Sequence, residues 1–147
     1  MKVSTRGRYA LRFMAELARL EGEATNPSIK DISNAQGISD KYLEQIVRPL
    51  VREGLVRSTR GAQGGYRLAR PANRITVGDV LRATEGDLAP VDCVSSDCSR
   101  ECPRSGSCES MFVWKAIKDA TDKIIDGITV QDLLDKHNPF ESVDEDD

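Results

Sequence analysis

The four cysteines of the chain, Cys93, Cys98, Cys102 and Cys108, all lie in one polar stretch, residues 92–110 (the cysteine segment). Their spacings are C-x4-C, C-x3-C and C-x5-C. Thiols this close together can form disulfides, bind zinc, hold an iron–sulfur cluster or act as a redox switch. Because the segment has almost no apolar residues, we expect a loop that a bound metal group would order.

The cysteine spacing favours an iron–sulfur cluster over zinc. A structural zinc site usually combines two ligand pairs that are distant in sequence, and four ligands from one short loop would be unusual. The single histidine, His137, lies outside the segment. Iron–sulfur clusters accept thiolates at looser spacing. We therefore predict a cluster bound by Cys93, Cys98, Cys102 and Cys108, with zinc and a cofactor-free thiol switch as alternatives.

Length and composition predict a small globular protein. The chain has 147 residues, of which 39% are hydrophobic and 31% are charged. No signal peptide is expected, because Arg6, Arg8 and Arg12 interrupt the N-terminal stretch. Uncharged runs fall far short of the roughly 20 residues of a membrane helix. We expect a soluble cytoplasmic protein without membrane contact, in a reducing compartment that disfavours a disulfide framework.

The net charge of −3 hides two halves of opposite sign. Residues 1–82 contain 15 Lys and Arg against 8 Asp and Glu, a net charge of +7. Residues 83–147 contain 6 against 16, a net charge of −10. A basic first half indicates that this end of the protein meets a polyanion, although a solvated surface with an acidic tail is the simpler interpretation.

The first half predicts three helices. Apolar periodicity indicates a helix over residues 5–20. A capping-box spacing begins a second helix at Ser28, and Gly37 is typical of its end. The apolar residues of this helix, Ile29, Ile32 and Ala35, are expected to face inward. Ser39 is expected to cap a third helix, which Pro49 should kink or break. The second and third helices have the form of a helix-turn-helix.

Two short strands are predicted after these helices, at residues 55–59 and 66–69, with the glycine-rich turn GAQGG between them. A two-helix unit followed by a hairpin is a winged helix-turn-helix arrangement. Thr76 begins a further capped helix, with Asp79 in capping-box spacing. The expected fold class is therefore mainly α with a small β-hairpin.

A long helix is predicted after the cysteine segment, followed by a short closing helix. Val113, Ile117, Ala120 and Ile124 recur at steps of four, three and four, with other apolar residues beside them. This is more apolar surface than one face of a small domain needs. We expect the long helix to form a C2 homodimer, which would place two DNA-reading helices on successive turns of DNA.

The helix-turn-helix and the hairpin carry the residue types that contact DNA. Arg57 and Arg60 precede the hairpin tip, Arg67 and Arg70 follow it, and a narrow basic hairpin can enter a minor groove. Glutamate can accept from cytosine and glutamine can pair with adenine in the major groove. The candidate base-reading side chains of the third helix are Ser39, Asp40, Lys41, Tyr42, Glu44 and Gln45.

Three stretches resemble a known family: RYALRFMAELA, ISDKYLEQIVRPLVREGLVRSTRGAQGGYRLAR and ITVGDVLRATEG. They are similar to the bacterial regulators that include the iron–sulfur regulator IscR, the nitric-oxide sensor NsrR and the cysteine-metabolism repressor CymR. The resemblance implies a dimeric transcription factor that binds double-stranded DNA at palindromic operators. It also implies that Glu44 and Gln45 lie on the recognition helix, and Arg60 and Gln63 at the wing.

The resemblance bears on the cysteines as well. IscR-like members carry three cysteines at x5 and x5 spacing and then a histidine. Cys102 and Cys108 match that pattern, whereas Ser96 and Met111 stand at the positions of the first cysteine and the histidine. Cys93 or Cys98 must then replace the missing thiol.

The fourth ligand is the open point of this pattern. If Cys93 and Cys98 both serve, the site is all-cysteine; if only one serves, Glu44 is an alternative ligand. The resemblance favours [2Fe–2S] over [4Fe–4S], although four thiolates suit both.

No enzymatic function is predicted. A nucleophile–histidine–acid set cannot be assembled around one C-terminal histidine, and the loop RGAQGGY lacks the GK[ST] ending of a phosphate-binding loop.

We therefore expect a DNA-binding transcriptional regulator controlled by an iron–sulfur cluster in the cysteine segment. The alternative is a cluster-free repressor of the CymR type, controlled by a regulatory protein partner or by thiol redox or zinc. The expected units are a winged helix-turn-helix domain, a cysteine-rich cluster-binding loop, a dimerisation helix with a closing helix, and an acidic flexible tail. They span residues 1–84, 85–110, 109–137 and 138–147.

Overall fold

A computed structural model of the protein describes residues 2–22, 26–97 and 102–141. In this part of the chain six α-helices accompany one two-stranded antiparallel sheet. In chain order the elements are α1 (Thr5–Glu21), α2 (Ile29–Gln36), α3 (Asp40–Arg52), β1 (Val56–Thr59), β2 (Gly65–Leu68), α4 (Val77–Glu85), α5 (Met111–Asp126) and α6 (Val130–Asp135). The mainly helical fold with a small hairpin confirms the predicted class.

Side-chain caps begin the helices of the helix-turn-helix where the sequence predicts them. The Ser28 backbone N–H donates to Asp31 Oδ2 at 2.8 Å, and the Asp31 N–H donates to Ser28 Oγ at 3.1 Å, which completes a capping box. Gly37 ends α2 with a φ of 66°, a left-handed conformation that favours glycine. Ser39 Oγ then accepts from the Tyr42 N–H at 3.2 Å and begins α3.

Two details of these helices differ from expectation. Ala35, expected to face inward, is exposed, because the last turn of α2 faces α1 through Gln36. The Gln36 side chain accepts from Arg12 Nε at 2.9 Å and donates to Glu16 at 3.0 Å. Pro49 does not break α3, which continues through it to Arg52.

The hairpin pairs β1 with β2 in the register Val56↔Leu68 to Thr59↔Gly65. Val56 and Leu68 are buried at the base, so the hairpin is anchored in the core while its tip extends outward. The Tyr66 N–H also donates to the Pro27 carbonyl at 2.9 Å, which ties β2 to the segment before α2.

The main core forms around α1, whose Phe13, Met14 and Leu17 are fully buried. The other buried residues of this core are Ala10, Ile32, Ile38, Leu43, Ile46, Val47, Leu50, Leu55, Val56, Leu68, Ile75, Val80 and Val130. Val130 belongs to α6, so the end of the chain returns to pack on the first half. Its N–H donates to the Ile75 carbonyl at 2.9 Å.

A second, smaller cluster joins α5 to α4. Val77 and Leu81 of α4 and Ile125 of α5 are its buried members. Ile125 is the one buried residue that α5 contributes to the described structure. The long helix is therefore attached by a narrow contact.

Within the described residues no helix is both long and apolar enough to cross a lipid bilayer.

Adjacent residues of α3 provide a test of this packing. Leu50 is 0% exposed and Val51 is 36% exposed. We expect Leu50→Ala to lower the free energy of unfolding by about 2–5 kcal/mol, because it leaves a cavity in the core. Val51→Ala should cost less than about 1 kcal/mol. Urea unfolding followed by circular dichroism measures both, and equal decreases in stability would contradict the assigned orientation of α3.

Candidate functional site

The outward face of α3 is a continuous polar stripe. Leu43, Ile46, Val47 and Leu50 are buried on its inner face. The exposed residues recur at helical spacing along the opposite side: Lys41, Glu44, Gln45, Arg48 and Arg52. We call these five residues the α3 stripe. Because the apolar stripe fixes the rotation of the helix, all five side chains face solvent together.

Two predicted DNA contacts at the start of α3, Ser39 and Tyr42, also position the helix. Ser39 uses its hydroxyl as the N-cap of α3. Tyr42 is half-buried, and its ring meets the Tyr9 ring edge-on, with 5.6 Å between centroids. The Arg12 guanidinium lies 5.2 Å from the centroid of the same Tyr9 ring. The first turn of α3 is thus fixed to α1 through aromatic contacts.

The tip of the hairpin carries Arg60 and Gln63, the two residues that the sequence predicts as DNA contacts of the wing. Both residues are exposed. Gly61, between them, has a φ of 105°, a backbone conformation that is strained for residues with a side chain. Gly65 is needed for a close approach, since a Cβ there would lie 2.4 Å from the Asn26 carbonyl oxygen. The tip of the hairpin therefore carries few side-chain atoms beside Arg60.

The four hairpin arginines differ in their surroundings. Arg57 and Arg60 are exposed on the first strand and the tip. Arg67 Nε lies 3.8 Å from Glu21, and Arg70 lies 3.6 Å from Asp79. The second pair therefore has part of its charge offset within the protein, and the first pair is the stronger candidate for phosphate contact.

A groove separates α3 from the hairpin and contains two arginines absent from the predicted site. Its lining residues are Glu44, Val47, Arg48, Val51, Arg52, Ser58 and Tyr66. Arg48 and Arg52 continue the α3 stripe by one and two turns beyond Glu44. The four-residue spacing from Glu44 was a signal in the sequence, but only the fold shows that this end of α3 faces the hairpin.

The predicted metal ligands are only partly described. Cys93 is exposed, Cys102 and Cys108 are half-buried, and all three are free thiols. Cys98 lies outside the described residues. Within residues 2–22, 26–97 and 102–141, no three His, Cys, Asp or Glu side chains are grouped to hold a metal ion. Glu44, the alternative ligand, lies on the exposed α3 stripe.

Groups at the start of α5 contact Cys108 and stabilise its ionised form. Cys108 Sγ lies 3.4 Å from Ser110 Oγ, and Trp114 Nε1 donates to that same hydroxyl oxygen at 3.3 Å. The Ser110 side chain and the backbone at the start of α5 lower the pKa of the Cys108 thiol. A lowered pKa favours the thiolate, which is the form of cysteine that binds soft metals.

The outward face of α5 is apolar and exposed. Phe112 is 73% exposed and Ile124 is 49% exposed, and Val113 and Ile117 are exposed as well. Large apolar residues grouped on one solvent-facing helix mark an interaction surface.

Comparison with known proteins gives concordant matches. Residues 3–136 match the model of the family described as "Rrf2: Iron-dependent Transcriptional regulator". The regulator CymR of Bacillus subtilis is 41% identical over 135 residues, covering 90% of this chain and 89% of CymR. The solved structure of CymR, described as the global cysteine regulator of B. subtilis, superposes with a TM-score of 0.73 at 40% identity, covering 92% and 98% of the two chains. T. potens IscR superposes with a TM-score of 0.72 at 39% identity, covering 92% and 88%.

The groove arginines lead to a prediction about salt dependence. We expect Arg48→Ala or Arg52→Ala to weaken duplex binding by similar factors on different sequences. The slope of log K against log salt should become less steep by about one unit for each arginine removed from a phosphate. Fluorescence anisotropy with a duplex selected by the wild-type protein from a random pool measures both. Arg74→Ala, the same change on an exposed turn, is the control; a slope change equal to the control would contradict the assignment.

Proposed function

The chain belongs to the Rrf2 family of transcriptional regulators, and we propose that it reads a palindromic operator as a homodimer under the control of its cysteine segment. The regulators that it matches are transcription factors rather than enzymes. The observation that carries the proposal is the α3 stripe, a polar face held outward by a buried apolar one, beside a hairpin with an arginine at its tip.

Each part of this surface has a chemistry that suits DNA. Glu44 and Gln45, at the centre of the stripe, offer an acceptor for cytosine and a bidentate partner for adenine. Lys41, Arg48 and Arg52 supply charge for the phosphates on either side. Arg60 and Gln63 at the narrow tip suit a minor groove, where the negative potential attracts arginine. The basic residues then set the register and the affinity of the protein on DNA, while Glu44 and Gln45 set its sequence preference.

The exposed face of α5 supports a second copy as its partner. Val113, Ile117 and Ile124 form an exposed stripe along one face of α5, whereas Ile125, on the neighbouring face, is buried and packs on α4. A C2 dimer through this stripe would bury it and relate two α3 stripes by a two-fold axis. Two such stripes match the two half-sites of a palindrome.

The cysteine segment is the proposed sensor. Cys93, Cys98, Cys102 and Cys108 would hold an iron–sulfur cluster, with Glu44 as the alternative ligand and [2Fe–2S] as the favoured type. A bound cluster would supply a centre whose redox state and integrity respond to conditions inside the cell. The chain itself links this centre to α5, because Cys108 lies three residues before the first residue of that helix. We therefore expect a change in the conformation of the cysteine segment to shift the position of α5.

A cluster-free regulator is the second candidate, and two observations favour it. The chain is 41% identical to CymR. The lowered pKa of the Cys108 thiol also suits direct thiol oxidation. In this case the signal would be thiol redox, zinc or a regulatory protein partner, acting through the same segment.

Anaerobic purification distinguishes these candidates. We expect a coloured protein with a visible absorption band and stoichiometric iron and sulfide. Cys102→Ser and Cys108→Ser should each remove the band, while Ser107→Ala, a neighbour in the same segment, should keep it. Colourless protein that takes up only zinc would contradict the cluster and favour the second candidate.

The dimer can be tested with side chains on opposite faces of α5. Ile124→Asp places a charge in the proposed interface, so we expect dissociation to a monomer and a marked decrease in operator affinity. Lys115→Asp, an exposed change away from the stripe, should leave the dimer intact. Analytical ultracentrifugation measures the mass. A folded Ile124→Asp protein that remains dimeric would exclude this interface.

A further inference from the structure

Asp87 accepts four hydrogen bonds, three of which come from the cysteine segment. Its Oδ2 accepts from Ser95 Oγ at 2.6 Å, from the Ser96 N–H at 2.7 Å and from Ser96 Oγ at 3.0 Å. Its Oδ1 accepts from the Ala89 N–H at 3.0 Å. These donors, Ser95 first, hold the pKa of Asp87 well below its usual range. Bonds to an ionised acceptor are stronger than neutral ones, so the segment is fixed at a point two residues after Cys93.

Arg82, five residues before Asp87, joins α5 to the end of α4. Its guanidinium donates to both carboxylate oxygens of Asp126, at 2.6 and 2.9 Å, and to Asp122 at 3.2 Å. The close approach of the Asp126 side chain to α4 requires a glycine at position 78, because a Cβ at Gly78 would lie 2.0 Å from Asp126 Oδ1. Lys118 donates to Asp122 at 2.7 Å and extends the network along α5.

Glu85 lies between these two residues and holds the start of α1. One carboxylate oxygen accepts from the Ser4 N–H at 3.2 Å, from the Gly7 N–H at 2.9 Å and from the Ser4 hydroxyl. It thereby satisfies backbone donors that the first turn of a helix leaves unpaired. Two residues after Gly7, Tyr9 contacts Tyr42 in the first turn of α3.

The end of α4 therefore holds three parts of the protein. Arg82 binds α5, Glu85 binds α1, and Asp87 binds the cysteine segment. Gly86, between the last two, has φ 76° and ψ −149°, a conformation open in practice only to glycine, so the chain leaves α4 in a fixed direction. We name Arg82, Glu85 and Asp87 the α4 junction.

We propose that Asp87 is a positioning residue for the cysteine segment, and that the α4 junction couples this segment to the DNA-reading helix. The inference rests on the proposed function, because it names the route within the protein by which the sensor acts. Release of Ser95 and Ser96 frees the segment from α4. A conformational change at the thiols is then no longer transmitted to α1 through Glu85 or to α5 through Arg82.

The coupling can be measured without a cluster, because linkage is reciprocal: if the segment affects DNA binding, DNA binding affects the segment. The measurement is the rate at which iodoacetamide labels Cys93 in the reduced, metal-free full chain. Labelling is followed by mass spectrometry with and without a saturating duplex selected by the wild-type protein. In the wild type we expect the duplex to change this rate about fivefold or more.

Asp87→Ala should reduce that response to less than about twofold while the protein still binds the duplex. Asp97→Ala, which removes the same charge one residue past Ser96, is the matched control and should keep the response. If Asp87→Ala does not fold, Ser95→Ala carries the same test: it removes the 2.6 Å bond to Asp87, together with the bond that Ser95 Oγ accepts from the Asp97 N–H at 3.2 Å. Asp87→Asn keeps an acceptor oxygen and should restore part of the response.

The outcomes separate this inference from the proposed function. A wild type that selects no duplex overturns DNA reading and the coupling together. Duplex binding with no labelling response in the wild type overturns the coupling alone. A full response in Asp87→Ala, or an equally reduced response in Asp97→Ala, overturns the role of Asp87.

Discussion

Burial of one face of α1 is the constraint on which the rest of the structure depends. Phe13, Met14 and Leu17 are fully buried, and each contributes about 1.5–3 kcal/mol of apolar burial. The helix-turn-helix, the base of the hairpin, α4 and α6 all contribute residues to this one core. Because Leu43, Ile46 and Leu50 must join it, α3 has a single allowed rotation, and its polar stripe faces outward as a consequence.

The attachment of α5 contrasts with that of α3. One buried residue, Ile125, and the ion pairs of Arg82 join α5 to α4. Arg82 is itself partly exposed, so screening by water limits what these pairs contribute to stability. A helix attached by one buried residue and a partly exposed ion-pair network, with an apolar face toward solvent, suits an element that a partner copy completes and that a nearby segment can shift. The cysteine segment is adjacent to it in the chain and meets it at the end of α4.

Local signals made much of the fold predictable from the sequence. The boxes at Ser28 and Thr76 and the cap at Ser39 depend on residues three apart, so the helix starts could be predicted directly. The apolar period likewise identified the inner face of α3, and with it the exposed positions of Glu44 and Gln45. The hairpin followed from its glycine-rich turn.

Contacts between distant residues were not predictable in the same way. The exposure of Ala35 follows from the pairing of Gln36 with Arg12 across 24 residues. The groove role of Arg48 needs the hairpin beside α3. The bonds of Asp87 to Ser95 and Ser96 have no sequence signal, since serines in a polar loop are typical of solvent exposure. These interactions belong to the tertiary arrangement, where one sequence pattern is compatible with many neighbours.

The most direct measurement is the affinity of the wild-type protein for one selected palindromic duplex in two states of its cysteine segment. Anisotropy titrations at fixed salt would compare anaerobic, coloured protein with the same preparation after removal of metal by a chelator. A sensor coupled to DNA reading predicts dissociation constants that differ by about fivefold or more, the range typical of allosteric coupling. Equal dissociation constants for two preparations that differ in iron content would contradict control of DNA binding by a cluster in the cysteine segment.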